Sequence, residues 1–92
     1  MIQSFACPET HALFESRLVK KFGNFERIAR RKLLMLNAAT QLKDLRIPPG
    51  DRLEALQGDR LGQYSIRINR QWRICFHWQQ DGAHAVEIVD YH

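Results

Sequence analysis

The fold is decided by the stretch Trp72-Arg73-Ile74-Cys75-Phe76-His77-Trp78, in which large apolar side chains occupy every second position. Successive side chains of a β-strand point to opposite faces, so this alternation predicts a strand with one face in the core. Arg73, Cys75 and His77 would lie on the other face. An arginine in the middle of a sheet is costly to bury unless it is paired or faces a groove.

Shorter alternating segments flank this strand on both sides. Period-two patterns predict strands at residues 52–57, 63–69 and 85–91. Turn-forming residues separate them at 58–59, 69–71 and 80–82. Short turns join neighbouring strands in antiparallel order, so the second half of the chain is expected to form an antiparallel meander.

The first half of the chain predicts a short strand and a helix. Residues 1–6 suit a strand, and Pro8 and Glu9 then suit a first helical turn, since proline has no N–H to leave unbonded there. This helix is expected to bury Leu13, Phe14 and Leu18 and to end before Gly23.

A second helix is predicted over residues 24–42, with Asn24 as its N-cap. Its buried face is expected to follow the three-and-four spacing of Phe25, Ile28, Ala29, Met35, Leu36, Ala39 and Leu42. Arg27, Arg30 and Arg31 cluster elsewhere, on either a solvated face or a docking surface for a partner. The expected fold is α+β, with two N-terminal helices packed on a twisted, mainly antiparallel β-sheet.

Composition narrows the class of protein. The 92 residues suit one domain, 1–92, and 45% of them are hydrophobic, which is enough for a core. No leader or membrane span is evident, so a cytoplasmic protein without a membrane partner is expected. The net charge of +4 suits a polyanion or an acidic protein as partner, although by itself it is explained equally by a solvated surface. Cys7 and Cys75 are expected to be buried, reduced thiols, and no zinc pattern appears.

The chain ends in Asp90-Tyr91-His92, directly after an apolar strand. Histidine exchanges protons near neutral pH, tyrosine stacks on bases, and an aspartate orients either one. Polar tails are also common in proteins with no such chemistry. Arg73 suits either a bidentate grip on a phosphate or a structural salt bridge to Glu87 or Asp90.

Several stretches resemble the HigB group of the RelE/ParE toxin superfamily over the whole chain. They are Met1-Ile2-Gln3-Ser4-Phe5, Leu56-Gln57-Gly58-Asp59-Arg60 with Gly62, Ser65-Ile66, Gln71-Trp72-Arg73-Ile74 and Val89-Asp90-Tyr91-His92. The resemblance implies the RelE-like microbial ribonuclease fold and a toxin that cuts mRNA on the ribosome. It also implies neutralisation by a HigA-type antitoxin and no small-molecule cofactor or metal.

The resemblance also assigns roles to matching residues. Tyr91 and His92 match the positions for proton transfer and base stacking, Asp90 the acidic residue beside them, and Arg73 the arginine that steadies the scissile phosphate. Some relatives carry a histidine and a lysine where Glu54 and Gln57 stand here, so the second acid or base stays open, with Glu54 a candidate. The residues expected to bind RNA are Arg60, Arg67 and Arg70. Those expected to bind a partner are Arg27, Arg30 and Arg31.

Two other functions remain open from the sequence. ParE-like relatives share the fold class and act on DNA gyrase, although the Asp90-Tyr91-His92 tail favours acid–base chemistry. A non-catalytic module that binds RNA or the ribosome would also suit the positive charge.

Overall fold

Four antiparallel strands form one sheet in a computed structural model that describes residues 1–47 and 49–91. They are β1 (Glu54–Ala55), β2 (Gln63–Arg67), β3 (Trp72–Gln79) and β4 (Gly82–Asp90), in the spatial order β1-β2-β3-β4. The predicted meander is therefore confirmed. β3 pairs with β2 on one side and with β4 on the other.

Two α-helices cover the core face of this sheet, α1 (Pro8–Phe14) and α2 (Glu26–Ala38). Leu33 and Leu36 of α2 are fully buried in one cluster with Ile74 and Phe76 of β3. The ring of Trp72 packs 5.1 Å from that of Phe25, measured between centroids, just before α2 begins. The α+β class predicted from the pattern is confirmed.

Both helices are shorter than predicted. Helix α1 ends at Phe14 because Ser16 takes a left-handed φ of 65° and turns the chain, which leaves Leu18 88% exposed. The expectation that Leu18 is buried was wrong. Residues Lys20–Phe25 then form a 3₁₀ helix, so Asn24 lies inside it and Phe25, not Asn24, occupies the N-cap of α2.

The buried face of α2 also differs from the prediction. Ile28 is 40% exposed, and Leu33 takes its place in the core between Ala29 and Leu36. Ala39 adopts an extended backbone that ends the helix, and Leu42 begins a separate 3₁₀ helix, Leu42–Arg46. Packing against the sheet determines which helix positions are buried, and periodicity alone does not.

The strands at the edges are also less regular than predicted. Arg52 has a left-handed φ of 47°, so β1 begins only at Glu54; it ends at Ala55, and a 3₁₀ helix, Gly58–Arg60, occupies the predicted turn. Residues 1–6 make isolated parallel bridges from Ile2 to Ala83 and from Phe5 to Val86 in place of a continuous strand. The interruption coincides with Ala85, which has a φ of 52° and whose N–H bonds the Ser4 hydroxyl.

Two further sequence expectations concern the cysteines and the membrane. Cys75 is a free, buried thiol as expected, whereas Cys7 is only half-buried. Among the described residues, no helix combines the length and apolar character needed to cross a bilayer.

Gly82, at the start of β4, is expected to tolerate no side chain. Its φ is 127°, and an added Cβ would fall well inside contact distance of the Met1 carbonyl oxygen. Gly82→Ala should lower the free energy of unfolding by about 2–4 kcal/mol, from backbone strain and overpacking together. Denaturant titration measures this loss. Gly23→Ala is the matched control, because nothing lies within 4 Å of its added Cβ; equal stability losses in the two variants would contradict the assignment.

Candidate active site

Arg73 lies on the face of β3 that is opposite the core, and its side chain is only 11% exposed. Its Nη2 donates a hydrogen bond of 2.7 Å to the carbonyl oxygen of Arg52. Its Nη1 lies 3.4 Å from Oε1 of Glu54. The ion-pair partner of Arg73 that the sequence suggested, Glu87 or Asp90, was therefore wrong. The turn before β1 places Glu54 beside the guanidinium instead.

Tyr91 covers the same guanidinium from the end of the chain. The Arg73 Cζ lies 5.6 Å from the centre of the Tyr91 ring, within the range of a cation–π contact. The Tyr91 N–H donates to the Gln71 carbonyl oxygen at 2.6 Å, which anchors the backbone just beyond β4. Tyr91 is 39% exposed, which leaves part of its surface available for contact with a ligand.

The hairpin between β2 and β3 holds this end of the chain. Oδ1 of Asn69 accepts hydrogen bonds from the backbone N–H groups of Gln71 and Trp72. The Gln71 amide in turn donates to Oδ2 of Asp90 at 2.9 Å. Asp90 pairs with Trp72 in the strand register, one position away from the Arg73 pair. Asp90, at the end of β4, is thus hydrogen-bonded to the same hairpin that anchors Tyr91.

His92 lies outside the described residues. It follows Tyr91 directly in the sequence.

A second polar network adjoins the Arg73 cluster. Arg60 Nη1 donates to Oε1 of Glu87 at 2.9 Å and to Oε1 of Gln63 at 3.1 Å. The hydrogen bond to Glu87 raises the pKa of Arg60, although burial opposes the rise. Glu87 pairs with Cys75 in the register, two positions along β3 from Arg73. Glu87, suggested from sequence as a partner of Arg73, is instead paired with Arg60.

The other two arginines expected to bind RNA lie near the same hairpin. Arg67 stands opposite Arg73 in the register of β2 and β3, and its Nε donates to the Asn69 carbonyl oxygen at 3.1 Å. Arg70 is exposed in the hairpin loop. Arg52, which was not among the residues predicted from the sequence, is exposed and adjoins the site through its carbonyl group. Its carbonyl group reaches Arg73 from a backbone with a left-handed φ of 47°, and a sequence pattern does not indicate that conformation.

Cys75 does not supply a nucleophile or a metal site in this arrangement. The side chain is fully buried, and burial raises the pKa of its thiol, which disfavours the thiolate. Within the ranges 1–47 and 49–91, no group of three His, Cys, Asp or Glu side chains is arranged to hold a metal ion.

The arginine cluster predicted on α2 is divided by the structure. Arg27 and Arg31 are exposed, whereas Arg30 is half-buried and its Nε donates to the Leu13 carbonyl oxygen of α1 at 3.2 Å. Arg27, Ile28 and Arg31 line a cavity of about 510 Å³ at the N-terminal end of α2. Leu34, 53% exposed, lies one turn further along this helix.

Known proteins are similar to this chain in sequence and in fold. The chain is 48% identical over 62 residues to Toxin HigB-1 of Vibrio cholerae, which covers 67% of this chain and 64% of that toxin. It is 32% identical over 94 residues to Endoribonuclease HigB of Proteus vulgaris, across 100% of both chains. An uncharacterized protein of Haemophilus influenzae is 34% identical over 79% of this chain and 65% of its own. The matches to the Vibrio and Haemophilus proteins thus span slightly less than two thirds of those relatives.

A solved structure confirms the architecture. The YoeB-YefM complex from Staphylococcus aureus contains a chain that superimposes with a TM-score of 0.62 at 16% identity, over 100% of this chain and 98% of that one. At this identity the likeness concerns the fold alone. The model of the HigB-like toxins, described as RelE-like toxins of the type II toxin-antitoxin system HigB, matches residues 3–92. The chain therefore belongs to the HigB-like family of RelE-like toxins.

Proposed function

We propose that this protein is an endoribonuclease that cleaves mRNA on the ribosome and that a HigA-type antitoxin neutralises it. Family membership and the endoribonuclease name of the Proteus relative support the activity. The observation that carries the proposal is the Arg73 guanidinium, held between the Arg52 carbonyl, Glu54 and the Tyr91 ring. A fixed cation beside an aromatic ring suits a phosphate next to a nucleobase.

The cleavage chemistry follows from these groups. The ribose 2′-hydroxyl attacks the adjacent phosphorus, and its proton passes to a base. The bond from phosphorus to the 5′-oxygen breaks, and an acid protonates that oxygen. The products are a 2′,3′-cyclic phosphate and a 5′-hydroxyl. Arg73 would stabilise the negative charge that builds on the phosphate oxygens in the transition state.

Two groups are proposed for the proton transfers. Glu54 is the candidate base, because a 2′-hydroxyl and its neighbouring phosphate are adjacent in RNA and the Glu54 carboxylate adjoins Arg73. His92, the residue after Tyr91, is the candidate acid. Tyr91 would stack on a base at the cleavage site, and Asp90 would help to fix the end of the chain through Gln71.

The arginines around the hairpin would hold the RNA backbone. Arg67 and Arg70 flank the site on its hairpin side, and Arg60 lies beyond Cys75 in partial contact with solvent. Because Arg60 is paired with Glu87, its role would be weaker than that of exposed Arg70. Contacts of this kind release counterions, so activity should fall as salt rises.

Incubation with a translating extract, followed by mapping of mRNA 5′ ends, tests the proposed function. Toxin-dependent cuts within translated codons are expected, with none in the same mRNA without ribosomes. Inhibited translation with intact mRNA would favour a non-catalytic ribosome-binding module, and inhibited supercoiling by DNA gyrase would favour a ParE-like activity.

The exposed face of α2 is proposed to receive the antitoxin. Arg27 and Arg31 place two positive charges beside the half-exposed side chain of Ile28 and a cavity, which suits an acidic, amphipathic segment. Arg27→Glu with Arg31→Glu should slow association with the antitoxin about 10-fold at low salt and flatten its salt dependence, because charge complementarity acts mainly on the association rate. Stopped-flow mixing over a salt series measures both effects.

A control with the same change of charge separates this surface from net charge. Lys43→Glu with Arg46→Glu alters two exposed residues in the 3₁₀ helix after α2. If both double variants slow association equally, only net charge matters. If the α2 variant slows binding to ribosomes and not to the antitoxin, this face serves ribosomal RNA.

A further inference from the structure

An ion pair joins α2 to the loop that precedes β1. Lys32 Nζ contacts Oδ1 of Asp51, whose side chain is fully buried, while the Lys32 side chain is 14% exposed. The second carboxylate oxygen of Asp51, Oδ2, is buried and has no hydrogen-bond partner among the described residues. Lys32 is therefore the cation that compensates this buried charge. A buried charge without its partner is strongly unfavourable, so the contact constrains where Asp51 sits.

The residue after Asp51 meets the active-site arginine. Arg52 holds a left-handed φ of 47°, which a non-glycine residue keeps only where its surroundings enforce it. In this conformation its carbonyl oxygen accepts the hydrogen bond from Arg73 Nη2, and Glu54 follows two residues later beside Nη1. The segment fixed by Lys32 thus supplies both polar contacts of the Arg73 guanidinium described above.

The other contacts that Arg73 makes with described residues do not define its orientation. Its Nε is buried without a hydrogen-bond partner in the described part of the chain. The Tyr91 ring lies against the guanidinium, but a cation–π contact does little to prevent the guanidinium from rotating in its own plane. The direction of the Nη donors therefore depends on the Arg52 carbonyl and on Glu54.

We propose that Lys32 and Asp51 are positioning residues for Arg73. Their ion pair fixes the turn at Arg52, and the turn aims the guanidinium at the scissile phosphate. The catalytic part of this inference rests on the proposed ribonuclease activity. The positional part concerns the free toxin and is measured without any substrate.

The test replaces the pair by neutral side chains, so that no buried charge is left alone. In Lys32→Met with Asp51→Asn, exchange of the Arg73 Nε–H with solvent, followed by ¹⁵N NMR, should be at least about 10-fold faster than in the wild type, as for a local opening. On ribosomes, kcat should fall about 10- to 100-fold at unchanged KM, the size expected for a misplaced catalytic group. Lys32→Arg, which keeps the cation, should retain slow exchange and most of the activity.

The control removes an exposed pair of the same type. Lys21→Met with Glu9→Gln abolishes a surface contact of 3.6 Å and should change neither readout. A folded Lys32→Met, Asp51→Asn variant with wild-type exchange at Arg73 would overturn the proposal and leave the pair a purely structural role. If that variant does not fold, Lys32→Met with Asp51→Leu, which leaves no buried polar side chain at position 51, takes its place with the same expected results and the same overturning result. A wild-type protein that cleaves no mRNA would refute the proposed function and leave the exchange result intact.

Discussion

Arg73→Lys is expected to lower mRNA cleavage about 10²–10³-fold, the usual effect of losing one preorganised donor to a charged transition state. Lysine retains the positive charge but is a point donor without the planar fork of arginine. It therefore cannot bond the Arg52 carbonyl, adjoin Glu54 and grip a phosphate at once. Binding to ribosomes should persist, because most of the surrounding positive charge is unchanged.

Single-turnover cleavage and ribosome pelleting separate these two effects. Arg17→Lys is the matched control, since Arg17 is exposed and makes only a surface contact of 2.6 Å with Glu15. If Arg73 were only a structural residue, Arg73→Lys would lower the melting temperature while the folded protein kept its specific activity.

Removal of His92, by His92→Ala or by deletion, is expected to lower cleavage about 10²–10⁴-fold, as for the loss of a general acid or base. The fold should persist, because Tyr91 is anchored by its own backbone hydrogen bond to Gln71. The melting temperature and single-turnover rate together measure this. A folded variant without His92 that cleaves at the wild-type rate would remove His92 from the mechanism.

The sheet was predictable because its information is local. Alternation in residues 72–78 and the turn residues around them determine both the strands and their order, and the structure confirms both. The helix ends were not predictable in this way. Ser16 and Arg52 adopt left-handed φ values that neither residue type prefers, so tertiary contacts and not propensity decide where α1 ends and β1 begins.

The sequence predicted candidate residues for the site but not the contacts between them. In the structure the Arg73 guanidinium lies over the Tyr91 ring, and Glu54 adjoins the same guanidinium. The pairing of Glu54 with Arg73 depends on the tight turn at Arg52. The ion pair of Lys32 and Asp51 links a helix to a loop, and no periodicity in either segment indicates it.

The most direct measurement of the proposed chemistry uses an mRNA in which the nucleotides of one translated codon lack their 2′-hydroxyls. With ribosomes positioned on that codon, the wild-type toxin should leave it intact while it cuts the all-RNA message. The ends of the cut RNA should carry a 2′,3′-cyclic phosphate and a 5′-hydroxyl. Cleavage of the deoxy-substituted codon at the same rate would contradict attack by the 2′-hydroxyl and with it the roles proposed for Arg73 and His92.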